Sequence, residues 1–195
     1  MTIPAVAHPS DDKTLLGFWI YLMTDCILFG TLFATYIVLH QNTFGGPNGS
    51  ELFDMPFVLV ETLILLTSSF TCGLGMLAVR QKNRTQSLFW LSFTFILGAI
   101  FLGMEISEFG HLVSEGNSWQ RSGFLSAFFT LVGTHGLHIL IGLLWLIIMG
   151  VQIVRRGFTD GVARRLSLFS MFWHFLDIVW IFIFTFVYLL GGVQL

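Results

Sequence analysis

The sequence predicts an all-α integral membrane protein, built as a bundle of five transmembrane helices. Apolar residues make up 55% of the 195 residues and charged residues only 10%, a balance that is not typical of soluble domains. Five apolar runs reach or exceed the roughly 20 residues with which an α-helix crosses a bilayer. The segments between these runs are short and carry nearly all of the lysines and arginines. The composition therefore excludes a soluble fold.

The five runs follow a polar N-terminal tail, residues 1–14, and form a single membrane domain, residues 15–195. The predicted spans lie near residues 15–39, 56–79, 87–109, 122–154 and 166–190. Ser10, Asp11 and Asp12 favour a helix start before the first run, and Pro56 suits the first turn of the second. The fourth run is longer than a perpendicular crossing requires, so we expect it to tilt or protrude.

The N-terminal tail, the cysteines and the net charge give no sign of a signal peptide, a disulfide or a nucleic-acid partner. The tail MTIPAVAHPSDDK has no basic region before a short apolar core, so it does not resemble a cleaved signal peptide. Cys26 and Cys72 both lie inside apolar runs, where a thiol is usually a small apolar side chain, and they predict no disulfide. A net charge of −2 gives no reason to expect a nucleic-acid partner.

The basic residues predict the orientation. With five spans, eight of the nine lysines and arginines fall on one side of the membrane, and only Arg121 falls on the other. Positively charged loops are retained in the cytoplasm. We therefore expect a cytoplasmic N-terminus and a C-terminus on the outer side.

A layer of polar residues is predicted towards the inner half of the membrane. Counting 1.5 Å per residue from the helix ends places five titratable groups at similar depth: Asp25, His135, His138, His174 and Asp177. Trp180 shares the polar face of the fifth helix, FWHFLDIVWIFIFTF. Such groups are costly at mid-membrane, at about 3 kcal/mol each for a charged residue, and need partners within the protein.

Spacing alone leaves three interpretations of this layer open. The pairs His135/His138 and His174/Asp177 are each three residues apart, so each pair shares one helix face. Two facing pairs could ligate a metal, or histidines of two helices could hold a haem. The groups could instead form a structural hydrogen-bond network between helices four and five, or a proton relay. For Asp25, a proton site and a helix-packing hydrogen bond are both open.

A second layer of carboxylates is predicted towards the outer side. Glu61 lies early in the second span, and Glu105 and Glu108 lie late in the third on one helix face. The three could bind a cation or protons. They could also accept hydrogen bonds from tryptophan, serine, a lipid head group or a neighbouring subunit, which a position near the interface favours.

Two segments then resemble a known family. GTHGLH followed by ILIG, and about 35 residues later FWHFLDIVWIFIFTFVYL, resemble the last two helices of subunit III of the haem–copper respiratory oxidases. The resemblance extends from Gly17 over nearly the whole chain, through GFWIYLMTDCILFGTLFATY, MPFVLVET, FLGMEISEFGHL and RSGFLSAFF. It is greatest to the quinol-oxidase branch, the bacterial cytochrome o (bo-type) ubiquinol oxidases.

Two features favour that branch over the cytochrome c oxidases. Subunit III of the latter commonly has seven helices, whereas this chain has five. The cytochrome c branch usually carries a carbodiimide-reactive glutamate where this chain has Asp25. Six residues of this chain match positions that are regular in the family: Glu108, His135, His138, His174, Asp177 and Trp180.

The resemblance implies an accessory role in a larger enzyme. Such a complex oxidises ubiquinol, reduces oxygen to water and pumps protons across the bacterial inner membrane. Subunit III would bind no haem and no copper, which belong to subunit I. It would pack mainly against subunit I, also meet subunits II and IV, and hold phospholipid.

Three alternatives stay open at the level of sequence. One is subunit III of a cytochrome c oxidase. A second is a stand-alone proton-coupled transporter, although such proteins usually show paired repeats and broken helices that are not evident here. The third is a membrane anchor for b-type haem, which the intramembrane histidines motivate.

Overall fold

The computed structural model describes residues 9–45, 52 and 54–192, and the regular structure in this part of the chain is entirely helical. Five long helices follow one another: α1 (Pro9–Leu39), α2 (Met55–Arg80), α3 (Arg84–Ser114), α4 (Gly123–Arg156) and α5 (Asp160–Ile183). A π-helical segment, Phe184–Leu189, and a final turn, Leu190–Gly192, continue α5. All five are long and apolar enough to cross a membrane. The predicted all-α bundle of five spanning helices is confirmed.

Most helices extend beyond the apolar runs that predicted them. α1 begins at Pro9, so residues 9–14 of the predicted polar tail are its first turns, while residues 1–8 lie outside the described part. α3 continues to Ser114 and α5 already begins at Asp160. The apolar run marks only the hydrocarbon core, whereas the helix continues until its end is capped.

The helix ends follow from local capping chemistry. Asn83, Ser122 and Thr159 each precede a helix and accept a hydrogen bond from the backbone N–H three residues later, at 3.2, 3.1 and 3.3 Å. These bonds satisfy amides that the first helical turn leaves unpaired. Pro56 occupies the first turn of α2, as expected. Lys82 adopts a φ of +56° in the tight turn between α2 and α3.

The helices α2, α3, α4 and α5 form a four-helix ring in which each packs against the next and α5 packs back against α2. α1 lies outside this ring, mainly against α4 and to a smaller extent against α5. The ring is therefore closed by the contact between α2 and α5, its first and last helices in the sequence. Side chains of α1 reach only the α4–α5 side of it.

Trp173 occupies the centre of the ring. It is 1% exposed, and its indole fits between Gly98 of α3 and Gly142 of α4. A Cβ atom on Gly98 would lie 2.9 Å from the indole, and one on Gly142 would lie 2.8 Å from it. Small residues let helices approach closely in membrane proteins. Here they make room for one large side chain that touches both neighbouring helices.

α1 attaches through a narrow stripe. Leu22, Phe29 and Tyr36, spaced by seven residues, are buried against the ring. Trp19 and Met23 on the other faces are 53% and 64% exposed. A stripe with a seven-residue period is typical of helix pairs that pack along a single seam. Most of the α1 surface is therefore available to lipid or to another protein.

Candidate functional site

The structure brings Asp25 and His138 together across the α1–α4 seam. His138 Nε2 lies 3.9 Å from Asp25 Oδ1, and both side chains are almost fully covered. His138 Nδ1 lies 2.7 Å from the backbone carbonyl of Thr134, which can accept a hydrogen bond from it. Nε2 is then left facing the carboxylate. At 3.9 Å the two side chains are close but not directly hydrogen-bonded, and they bring the polar groups of α1 and α4 together at the seam.

His135 lies apart from this pair although it is only three residues away. It is fully buried, with its ring 5.2 Å from that of Trp180 and 5.9 Å from that of Phe101. Neither ring nitrogen has a hydrogen-bond partner among the described residues. An imidazole enclosed by aromatic rings packs mainly through its faces and edge. The contact joins α4 to α3 and α5.

His174 meets α2 instead of the histidines of α4. Its Nδ1 lies 3.2 Å from the hydroxyl of Ser69. Asp177, one turn further on, has one buried carboxylate oxygen without a partner among the described residues. The three-residue spacing correctly places both on one face, but it does not show which helix lies opposite. α5 packs against both α4 and α2, and this face turns towards α2.

Two indole N–H groups attach α5 to α2. Trp173 Nε1 donates to the hydroxyl of Ser68 at 3.1 Å, and Trp180 Nε1 donates to that of Thr62 at 3.0 Å. Ser68 in turn donates to the carbonyl of Thr94 on α3 at 3.2 Å. The three helices are thus linked by a buried chain of polar contacts.

The hydroxyl residues of α2 were not singled out from the sequence. Thr62, Ser68 and Ser69 are buried, and each pairs with a side chain of α5. Hydroxyl residues recur at helical spacing through ETLILLTSSFT, and this pattern could have indicated a polar face on α2. A hydroxyl can also bond the carbonyl one turn back, as Thr62 does with Val58, so spacing alone does not reveal the partner on another helix.

The outer carboxylates are more deeply buried than a position near the interface suggests. Glu61 is 0% exposed and Glu105 2%. All four of their carboxylate oxygens lack a hydrogen-bond partner among the described residues. Glu108 is half-buried and accepts a hydrogen bond of 3.0 Å from Tyr188 of the π-helical segment. A lipid or subunit contact is therefore geometrically available to Glu108, whereas Glu61 and Glu105 face the bundle.

Glu105 reaches the α4 backbone. A Cβ atom on Gly136 would lie 2.6 Å from Glu105 Oε1, so the absence of a side chain at this position admits the carboxylate. Buried polar atoms are satisfied by protons, by each other or by internal water. The three outer carboxylates, Glu61, Glu105 and Glu108, can therefore hold protons or water. Their geometry does not indicate a particular substrate.

The described residues bring no three histidine, cysteine or acidic side chains together as a metal site. The three histidines turn in different directions: His138 faces α1, His135 packs against α3 and α5, and His174 faces α2. What the side chains do form is a set of contacts between helices: α1 to α4, α5 to α2, and α2 to α3.

A family model described as cytochrome c oxidase subunit III matches residues 8–192. The chain belongs to the cytochrome c oxidase subunit III family. The family resemblance noted in GTHGLH and FWHFLDIVW is confirmed by this match.

Individual members of the subunit III family are similar over almost their full lengths. Cytochrome bo(3) ubiquinol oxidase subunit 3 of Pseudomonas aeruginosa is 56% identical over 186 residues, covering 95% of this chain and 89% of the relative. The protein of the same name from Buchnera aphidicola is 47% identical, covering 93% and 94%. Quinol oxidase subunit 3 of Bacillus spizizenii is 48% identical, covering 91% and 87%. These relatives support the predicted quinol-oxidase branch of the subunit III family.

Proposed function

We propose that this chain is the accessory subunit III of a bacterial proton-pumping ubiquinol oxidase. The observation that carries the proposal is the 56% identity, over 95% of the chain, to a cytochrome bo(3) ubiquinol oxidase subunit 3. The subunit contributes helix packing and surface to the complex. The oxidation of ubiquinol and the reduction of oxygen to water take place elsewhere in it.

The proposal includes the partners and the location. Subunit I carries the haems and copper and is the main contact; subunits II and IV complete the complex. Phospholipids bind to the subunit, and the assembly lies in the inner membrane with the N-terminus of this chain in the cytoplasm. The largely exposed α1 supports the need for a partner, since its outward faces meet nothing in the described part of this chain. The basic residues at one end support the orientation.

Copurification tests the proposal directly. A tagged chain expressed in its own host is extracted in mild detergent, and the chains that elute with it are identified by mass spectrometry. We expect a large haem-bearing subunit, an absorption spectrum of haem and ubiquinol oxidase activity. Oxidation of cytochrome c instead would favour the cytochrome c oxidase alternative. A haem spectrum from the isolated chain would favour the haem anchor, and elution alone with proton-coupled solute uptake would favour the transporter.

The contacts of α5 with α2 are proposed to hold the subunit in an assembly-competent form. His174→Ala should lower the yield of assembled complex by about threefold, since an interhelical hydrogen bond in a membrane is worth about 0.6 kcal/mol on average. Asp177→Ala should lower the yield in the same direction, because it removes a polar group from the same face of α5. Haem per assembled complex should not change, because neither residue is proposed to ligate it. Yield is measured by native gel and haem by pyridine spectrum.

His111→Ala is the matched control for that experiment. His111 lies near the end of α3, its side chain is 73% exposed, and its Nε2 lies 3.3 Å from a carboxylate oxygen of Glu115 one turn away. Its replacement should leave yield and haem content unchanged. A fall in haem per complex in His174→Ala, at unchanged yield, would contradict the structural role.

The Asp25–His138 pair is proposed to fix α1 on α4 without taking part in proton pumping. Asp25→Asn keeps the size of the side chain and replaces the ionisable carboxyl group by a neutral amide. We expect an unchanged ratio of protons pumped per electron in reconstituted vesicles, with assembly retained. The control is Asp160→Asn at the start of α5. A lower ratio in Asp25→Asn alone, in fully assembled complex, would assign this pair to the proton path.

A further inference from the structure

Three glutamates form an acidic cluster inside the ring, at the end of the bundle opposite the basic loops: Glu61, Glu105 and Glu108. Glu61 lies six residues after the first residue of α2, and Glu108 lies six residues before the last residue of α3. At 1.5 Å per residue, both lie about 9 Å from the ends of their helices, and Glu105 lies one turn deeper. Glu61 is within electrostatic range of both glutamates of α3. Three acidic groups therefore share a depth at which charge is costly.

The two inner members of the acidic cluster point into the protein and find no partner there. Glu61 and Glu105 are fully buried, and none of their four carboxyl oxygens has a hydrogen-bond partner within the described part of the chain. The Glu105 oxygens lie against α4, where a Cβ atom on Gly136 would be 2.6 and 2.8 Å from them. No lysine, arginine or histidine of the described ranges lies within ion-pair distance of the cluster. A negative charge on either inner group would therefore be uncompensated.

The surrounding elements supply a hydrogen bond and more acidic groups. Glu108 accepts the hydrogen bond of Tyr188, from the π-helical segment. Asp54, which directly precedes α2, lies within electrostatic range of Glu108. The titratable group that α4 contributes beside Gly136 is His135, whose two ring nitrogens have no partner among the residues described. The cluster is thus bordered by groups that can hold or pass a proton, and by no fixed positive charge among them.

The energetics favour a bound proton in this cluster. A charged residue at mid-membrane costs about 3 kcal/mol, and repulsion between like charges adds to that cost in a medium of low dielectric constant. A proton removes one charge and also supplies a donor, so that one carboxyl group can bond to the other or to an internal water. A metal ion would need several ligands around it, and the described side chains do not converge in that way.

We propose that Glu61 and Glu105 form a proton-binding site, which holds at least one proton at neutral pH and exchanges it with the aqueous phase through Glu108. Glu108 suits the second role because it is half-buried, lies nearer the helix end and already takes part in a hydrogen bond. Its carboxylate accepts the proton from the inner pair and passes it to water. The site goes beyond the accessory function proposed above, since it gives this chain a ligand of its own.

Infrared spectroscopy of the purified full chain in lipid vesicles tests for the bound proton. A protonated carboxyl group has a C=O stretching band that is separate from the carboxylate bands. We expect the difference between the wild-type chain and the double variant Glu61→Gln/Glu105→Gln to contain this band at neutral pH. Glu115→Gln is the matched control, because its side chain is 50% exposed just beyond α3, and it should keep the wild-type band.

Three results would overturn the proton-binding site. The first is a carboxyl band of the same size in the wild-type chain and in the double variant. The second is loss of the band when sodium replaces choline at constant pH, which would identify a cation site. The third is failure of the double variant to fold, judged by circular dichroism, because glutamine has the size of a neutral glutamic acid and should replace it without disruption.

Deuterium exchange tests the route through Glu108. After transfer of the chain into D₂O, the carboxyl band shifts as deuterium replaces the bound proton, and the rate of this shift is measured. Glu108→Gln should slow the exchange by about a hundredfold, at the lower end of what a positioned proton-transfer group contributes. Glu115→Gln should exchange at the wild-type rate. Equal rates in the wild-type chain and in Glu108→Gln would remove Glu108 from the proposal.

These measurements are independent of the oxidase assignment. They use only the chain and lipid, so the carboxyl band can be missing while copurification with a haem-bearing subunit succeeds. Conversely, the band can be present in a chain that elutes alone. Failure of the proton-binding site and failure of the proposed function are therefore distinguishable.

Discussion

Replacement of Trp173 by alanine is expected to lower the free energy of unfolding by about 3 kcal/mol, the largest effect of any single change proposed for this chain. The indole is buried between α3 and α4 and also donates a hydrogen bond to Ser68 of α2. Its removal leaves a cavity that three helices border. The value lies at the lower end for such truncations, because the unfolded helices in lipid are not exposed to water.

The measurement is unfolding of the purified chain in mixed micelles by increasing fractions of a denaturing detergent, followed by circular dichroism. Trp19→Ala on the outer face of α1 is the matched control, since the same atoms are removed from a side chain that is 53% exposed. It should change the midpoint little. Similar losses for both variants would mean that the indole of Trp173 does not hold the ring together.

The second large effect is expected for Gly142→Ala, which should destabilise the protein by about 1–3 kcal/mol through overpacking. The added methyl would lie 2.8 Å from Trp173, whose rigid ring is held on its other side by Gly98. Alanine normally favours a helix over glycine by roughly 0.5–1 kcal/mol, so the steric effect must exceed that gain.

Gly150→Ala on the same helix separates the two contributions. The change in helix preference is the same, but the new methyl meets nothing within 4 Å. This variant should be neutral or slightly more stable, so the two substitutions should differ in sign in the same unfolding assay. Destabilisation of equal size at both positions would show that the close approach at Trp173 is not the cause.

The helical fold was predictable because hydropathy reports the number and place of spans directly. The pairing of helices was not, and His174 illustrates the reason. Its spacing from Asp177 defines a face of α5, yet α5 touches both α4 and α2, and only the folded bundle shows that the face meets Ser69. Lipid and protein interiors are similarly apolar, so a sequence pattern distinguishes them poorly.

The same limit explains why the burial of the outer carboxylates was not predicted. Depth along the helices placed Glu61 and Glu105 towards one end of the bundle, but depth does not determine which way a side chain turns. Gly136 was a signal that could have been used, because a residue without a side chain on a neighbouring helix gives room for a buried group. Asp25 and His138 were both placed in the inner polar layer from the sequence, and in the structure they lie next to each other.

The π-helical segment at the end of α5 has a further consequence for how this helix is used. The N–H of Leu190 bonds the carbonyl of Thr185, five residues back, so the turn holds one residue more than an α-helical turn. One extra residue rotates the rest of the helix by about 100°. Tyr188 thereby comes within 6.2 Å of the ring of Trp180 and reaches Glu108, and Tyr36 of α1 bonds the carbonyl of Val187 at 3.4 Å. The segment thus changes the rotational phase of the helix: the tryptophans before it face α2, whereas Tyr188 after the change faces α3 and the carbonyl of Val187 faces α1.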